Sequence, residues 1–463
     1  MRRVFTFLLL ACAASALSGA QEGSDSWARW RTLVRTDTWT ERWPAADGEL
    51  EERRVTDELW TRAMQAALEA QGSLHIPDRG RPYYLDGPLI LKSGQSLRAD
   101  PGAEIRLKPG SNTCLVRNFN IVGYANGLVP AETRPDSDIH IEGGIWTTLA
   151  TSARESNGNL RGASAHDQPV FGTHGVILLH NVRRATVRHL TVRQSRAFGV
   201  HLGNVQDFQI EDVTLDRHHR DGVHVNGPAS RGLIRQVRGD SADDTVALNA
   251  WEWRNYAPSY GPIHDIVIED VTGTGGRTHA ADSIRLLPGV KRFDDGTLLP
   301  CPVHDITLRR ITDIREFKLY DQPNLELGRD RDFSVGLGSL RSIRLEDLVF
   351  HVPGRIEVHA EAQGIHLRNV TVHHPLDAAW HLLALGPKSM TYKAGPDPSN
   401  WREVFSPDID CTVREVTVEG VREAGSSQDL PLDRVVRVIE LKPNPDYPRT
   451  TPKGGTGRGL WIR

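Results

Sequence analysis

Short stretches of this chain alternate apolar and polar residues, and the alternation returns many times. One form of the unit places two alternate apolar residues, two polar positions, then another apolar pair. It is seen in Ala185-Thr186-Val187-Arg188-His189-Leu190-Thr191-Val192 and in Asp265-Ile266-Val267-Ile268-Glu269-Asp270-Val271. Residues 139–142, 208–215, 305–311, 343–348, 365–372 and 412–418 repeat it, a little over twenty residues apart where nothing is inserted. A second form lies between these copies: Phe198-Gly199-Val200-His201-Leu202, Asp221-Gly222-Val223-His224-Val225, Asp244-Thr245-Val246-Ala247-Leu248 and Asp282-Ser283-Ile284-Arg285-Leu286. A period of two is the signature of a strand with one face buried. No single copy can bury its apolar side, so the copies must stack. The pattern predicts an all-β fold, a right-handed single-stranded parallel β-helix, from about residue 85 to the last strands. Longer gaps, such as 376–410, become loops on one face.

The N-terminal part reads differently. Residues 21–55 show no clear period and predict an irregular arm. Residues 56–68 predict a helix, with Thr56 as N-cap and Leu59, Ala63, Ala66 and Ala67 on one apolar face. Such a helix would cap the open end of the solenoid, whose unpaired edge is otherwise a liability. Residues 56–463 then form one β-helix catalytic domain. Residues 1–20 read as a signal peptide: Arg2-Arg3, an apolar run, and Ser18-Gly19-Ala20 before a cut at Gln21. Leu9-Leu10-Ala11-Cys12 is the rival pattern, a lipoprotein signal anchored through Cys12. Either implies export to the periplasm or the cell exterior.

Composition narrows this picture. The chain has 463 residues, 38% of them hydrophobic, which suits an elongated fold with much polar surface. A formal charge of −3 gives no reason to expect nucleic acid or an anionic membrane as partner. No stretch is long and apolar enough for a membrane span. Cys114, Cys301 and Cys411 are far apart and show no metal-type spacing.

The chemistry gathers at the second strand type. Neighbouring coils of a stacked solenoid lie about 4.8 Å apart, so equivalent positions form ladders. One ladder holds Asp221, Asp244 and Asp282. The outward ladder beside it holds His201, His224, Ala247 and Arg285, and Asp243 sits one residue before the first. Converging acids repel, so at least one pKa must rise. Acids with separated pKa values are what general acid/base hydrolysis needs. Trp251, Trp253, Tyr256 and Tyr260 follow closely and suit a wall for the apolar face of a sugar. His218 and His219 are adjacent, so a strand points them opposite ways. No metal site and no cofactor are expected.

These residues carry a resemblance. The chain resembles the polygalacturonase group, glycoside hydrolase family 28, or a close relative within the pectate-lyase-type β-helix superfamily. Asp221-Gly222 matches the second half of that family's Asn-Thr-Asp-Gly motif. Asp243-Asp244 matches its Gly-Asp-Asp motif, with Ala242 for Gly. Arg285-Leu286-Leu287 matches Arg-Ile-Lys, keeping the Arg and losing the Lys, and the Gly-His-Gly motif has no clear counterpart. The resemblance implies inverting hydrolysis, with Asp243 as acid and Asp221 and Asp244 activating water. It implies a polysaccharide or oligosaccharide partner held by Arg285, His224, His201, Trp251 and Trp253. Leu287 puts galacturonan itself in question. Two other readings stay open: a polysaccharide lyase on the same fold, and a non-catalytic carbohydrate-binding solenoid.

Overall fold

The computed structural model describes residues 29–44, 50–111, 113–121, 133–148, 175–251, 258–275, 281–293, 295–320, 337–386, 389–393, 401–405 and 411–439. Its strands stack in parallel, coil upon coil, in the alignment the repeats predict. In the first strand type Ile266 pairs with Ile306, Ile306 with Ile343, Ile343 with Ile365, and Ile365 with Val416. In the second, Val200, Val223, Val246, Ile284, Phe317, Ile356 and Leu383 form one continuous ladder. These side chains are buried and form a single apolar column along the axis. Each contributes about 1.5–3 kcal/mol by leaving water. The chain is a parallel β-helix.

The polar positions inside the first unit have their own reason. Two residues in each coil, five apart, take left-handed backbone. Asp207 and Asp212 have φ of 58° and 53°, Asp265 and Asp270 of 56° and 55°, and Asp305 and Arg310 of 55° and 54°. Asp tolerates this region better than most residues because its short side chain bonds locally. The corners therefore stack as ladders of their own, and the recurrent Asp of the repeat marks them.

The N-terminal expectations need correction. The arm is not irregular: Arg35–Pro44 and Leu50–Leu59 form an antiparallel hairpin, and Leu59 pairs in parallel with Tyr84. Thr56 therefore lies in a strand, opposite Thr38, and caps nothing. The helix runs Thr61–Gln71 with Trp60 at its N-cap. It stops at Gly72, whose φ of 71° an L side chain would resist. Ala63, Met64, Ala67 and Leu68 are its buried face, packed against the strands Ser73–Ile76 and Leu89–Leu91. Coils also begin earlier than expected, since Ser73–Ile76 already pairs with Ser96–Ala99. Residues 1–20 lie outside the described residues. Among the described residues no helix is long and apolar enough to cross a membrane, a statement that does not extend to β-barrels. Cys114, Cys301 and Cys411 are buried free thiols.

Candidate active site

Asp221 precedes the strand Val223–Ser241, and Asp244 opens the strand Asp244–Asn249 on the next coil. Gly222 N–H donates to Asp244 O at 2.9 Å, which locks the two carboxylates side by side. A side chain at Gly222 would bring its Cβ within 2.7 Å of the Thr245 carbonyl oxygen. Only glycine lets the coils approach this closely beside Asp221. Asp243, one residue earlier, completes the cluster. One oxygen from each of Asp221, Asp243 and Asp244 lies within 4.8 Å of the other two.

The three carboxyls are held differently. Asp244 is fully buried. Its Oδ1 accepts from Ser283 Oγ at 2.6 Å and from Lys318 Nζ at 2.9 Å, and Arg285 Nε stands 2.8 Å from Oδ2. Burial pushes this carboxyl up, but Arg285 and Lys318 outweigh it and hold the group below the usual carboxylate range. The pair works both ways: burial disfavours charge on Arg285 and Lys318, and Asp244 nevertheless raises both. Asp243 keeps 27% of its side-chain surface exposed and accepts from Arg220 Nη1 at 2.6 Å. Burial, then the charges of Asp221 and Asp244, push it up to about 6, against the pull of Arg220 and Arg285. Asp221 is buried and pairs through Oδ2 with His224 Nδ1 at 2.6 Å.

The structure thus brings Asp221, Asp243, Asp244 and Arg285 together, and it separates others. Asp282 is not on the acid ladder. A bulge between Asp244 and Val246 pairs Asp244 with Ser283 instead. Asp282 takes left-handed backbone and accepts from Thr274 N and Oγ1 at 3.0 and 2.7 Å. His201 and His224 were expected to face outward beside a sugar, and both are buried. The His224 ring stacks on Phe198 at 3.9 Å, and His201 Nε2 lies 2.7 Å from Asn226 Oδ1. Their place is beneath the site, with His224 steadying Asp221. Tyr260 is buried with Lys291 Nζ over its ring at 4.5 Å, so it walls no groove. Trp251 is half-buried against the core. Trp253 and Tyr256 lie outside the described residues. His218 is buried and pushed down to about 4 by desolvation, while His219 is exposed, so the two do point apart.

Sequence reasoning missed Lys318, Ser283 and Arg220. The signal for Lys318 was present: Phe317-Lys318-Leu319 repeats the pattern of Ile284-Arg285-Leu286, and Lys318 pairs in register with Arg285. The cation that position 287 lacks arrives from the following coil. Three cations and His224 thus stand within hydrogen-bonding or ion-pair distance of the trio. That is a poor setting for a divalent cation, although oxygens this close have the spacing that calcium ligands need.

No protein-family model matches the chain, and no curated protein does. Solved structures do match. The chain is similar to the family 28 exopolygalacturonase of Yersinia enterocolitica, at 13% identity and a TM-score of 0.42, covering 87% of this chain and 83% of that one. It is similar to the endo-xylogalacturonan hydrolase of Aspergillus tubingensis, at 11% identity and 0.42, covering 87% and 94%. It is also similar to the A-module of a mannuronan C-5 epimerase from Azotobacter vinelandii, at 14% identity and 0.45, covering 82% and 90%. These likenesses concern the fold; residue roles rest on the geometry of the site.

Proposed function

We propose that this chain is a glycoside hydrolase acting on a polysaccharide or oligosaccharide. Asp243 is the acid that protonates the glycosidic oxygen, and Asp221 and Asp244 hold and activate the attacking water. One observation carries this reading: three converged carboxyls in two protonation regimes, Asp243 pushed up to about 6 beside an Asp244 held ionised. A proton donor and an ionised acceptor side by side are the two parts that acid/base cleavage requires. As the glycosidic C–O bond breaks, its oxygen takes the Asp243 proton. The water forms the new C–O bond and passes its own proton to a carboxylate.

The spacing supports a shared water. Two hydrogen bonds of ~2.8 Å at a tetrahedral angle span ~4.6 Å, and the oxygens lie within 4.8 Å. This is shorter than the ~6.5–9.5 Å usual for inverting pairs, so the product anomer decides the stereochemistry. Inversion is our reading, with a water shared by Asp221 and Asp244 attacking in place of a carboxylate oxygen. Arg285 and Trp251 are the proposed sugar contacts among the described residues, and export belongs to the same reading.

A panel of oligosaccharides, with the product anomer read by NMR, tests this. Turnover with inversion supports it. Turnover with retention replaces the water-holding role of Asp221 or Asp244 with a nucleophile. Activity lost in chelator would install the lyase reading. Sugar binding without turnover, surviving Asp243→Asn, would leave a binding solenoid.

A further inference from the structure

The hydrolase reading does not say what Lys318 is for. Lys318 belongs to the strand Glu316–Tyr320, three coils beyond Asp221 and two beyond Asp244. Its Nζ reaches back past Arg285 to Asp244 Oδ1, where Ser283 Oγ also donates. Oδ1 is thereby occupied twice. Oδ2 is not: Arg285 Nε approaches to 2.8 Å, but its N–H is not aimed at that oxygen, and among the described residues neither atom has a hydrogen-bond partner. A buried carboxylate oxygen without a donor is costly unless something fills the place. Asp243 carries a proton too, but the sugar oxygen takes it, so the donor left for Oδ2 is water.

We propose that Lys318 is a positioning residue: with Ser283 it holds Asp244 by Oδ1 and so reserves Oδ2 as the atom that receives the attacking water. This rests on the hydrolase reading above. The water donates one hydrogen to Asp244 Oδ2. As its oxygen bonds the anomeric carbon that proton moves to Oδ2, while the departing sugar oxygen takes the proton of Asp243. Lys318 changes no bond. It prevents the carboxylate from rotating and keeps it ionised until the water is engaged. The groups facing Asp244 are Asp221 on the preceding coil, Asp243 beside it, Arg285 on the next, and Lys318. Lys318 itself faces Glu316, 4.0 Å away, with Arg285 and Tyr320 near.

The test uses the full chain with Lys318→Met, Lys318→Arg and Ser283→Ala. With the sugar that the panel identifies, Lys318→Met should lower kcat about tenfold or more with KM changed less than about twofold, the split expected when ground-state binding is untouched. It should also move the acid limb of the pH–rate profile upward by about one unit or more, since Asp244 loses a cation that favours its charged form. Lys318→Arg should restore the limb. A second readout needs no sugar: carbon-13 NMR titration of the Asp carboxyls must show Asp244 protonating at higher pH in Lys318→Met. A uniform loss of rate at every pH, with the Asp244 titration unmoved, overturns the proposal. If Lys318→Met does not fold, Ser283→Ala carries the test, because it removes the other Oδ1 donor without stranding a charge; an unmoved limb there also overturns it. A panel with no turnover sinks the hydrolase reading, whereas an unmoved titration sinks the role of Lys318.

Discussion

Two faces of this solenoid carry the same kind of pair, an Asp on one coil and an Arg on a later one. On the corner ladder Arg310 holds Asp270 at 2.7 Å, and Arg231 holds Asp207 at 2.6 Å. On the acid face Arg285 holds Asp244 at 2.8 Å. The distances hardly differ; the surroundings do. Arg310 and Asp270 are 44% and 38% exposed, Arg285 and Asp244 11% and 0%. Water screens the first pair, so it lowers the pKa of Asp270 and does little else. Where that screening is missing, burial and then the charges of Asp221 and Asp244 force Asp243 up while Asp244 stays ionised. Burial and convergence, added to pairing, set Asp243 and Asp244 apart.

The largest way to break that contrast is to remove the acid. Asp243→Asn should lower kcat by about 10²–10⁴, the usual worth of general acid catalysis. An aryl glycoside with a good leaving group should keep part of the rate. Equal losses on good and poor leaving groups would move the acid role to Asp221 or Asp244.

Next is the buried pair itself. Arg285→Met takes one of two cations from buried Asp244, leaving Lys318, and should cost about 3 kcal/mol of stability, read by denaturant melts. A loss below about 1 kcal/mol, the range of exposed pairs, would mean that burial does not separate the two faces.

The pH dependence follows from Asp243. Activity should fall above about pH 6 as the acid ionises, roughly tenfold per pH unit. Stability has the opposite partner. The folded pKa of about 6 lies above the ordinary carboxyl value of 3.8, so the fold favours the protonated form. The resulting penalty is fully present above pH 6 and disappears as pH falls toward 4. Asp243→Asn should therefore raise the melting temperature relative to the native chain at pH 7 and lose that advantage near pH 4. An advantage that does not change with pH would contradict the shift.

The smallest effect belongs to the corner. Arg310→Ala should change stability by under about 1 kcal/mol, less in high salt, with activity unchanged. A loss of activity would make the corner ladder part of the site.

The coils were legible because their signal is local and repeated. Val200, Val223 and Val246 fall in register because each sits at the same place in its own unit. The hairpin was not legible: Arg35–Pro44 and Leu50–Leu59 are rich in charged residues, and their mutual pairing, with cross-strand ion pairs such as Glu41–Arg53 and Arg42–Glu52, reveals them as strands. The helix start was misplaced for the same reason, since Thr56 has the chemistry of a cap and the partner of a strand. At the site, Asp221, Asp243, Asp244 and Arg285 could be read from spacing alone. Asp282 was read into the ladder because alternation carries no sign of the bulge that lets Ser283 take its place.

By itself the sequence determined which residues alternate, which positions recur, and hence that strands stack in parallel with three acids on neighbouring coils. Those are consequences of periodicity, a property each segment holds without its neighbours. Only the tertiary structure decided which acid is buried, which cation reaches it, and which oxygen is left open. Lys318 lies 74 residues from Asp244 along the chain and 2.9 Å from it in space. Burial and charge balance depend on what the rest of the chain places around a group, and no local pattern records that.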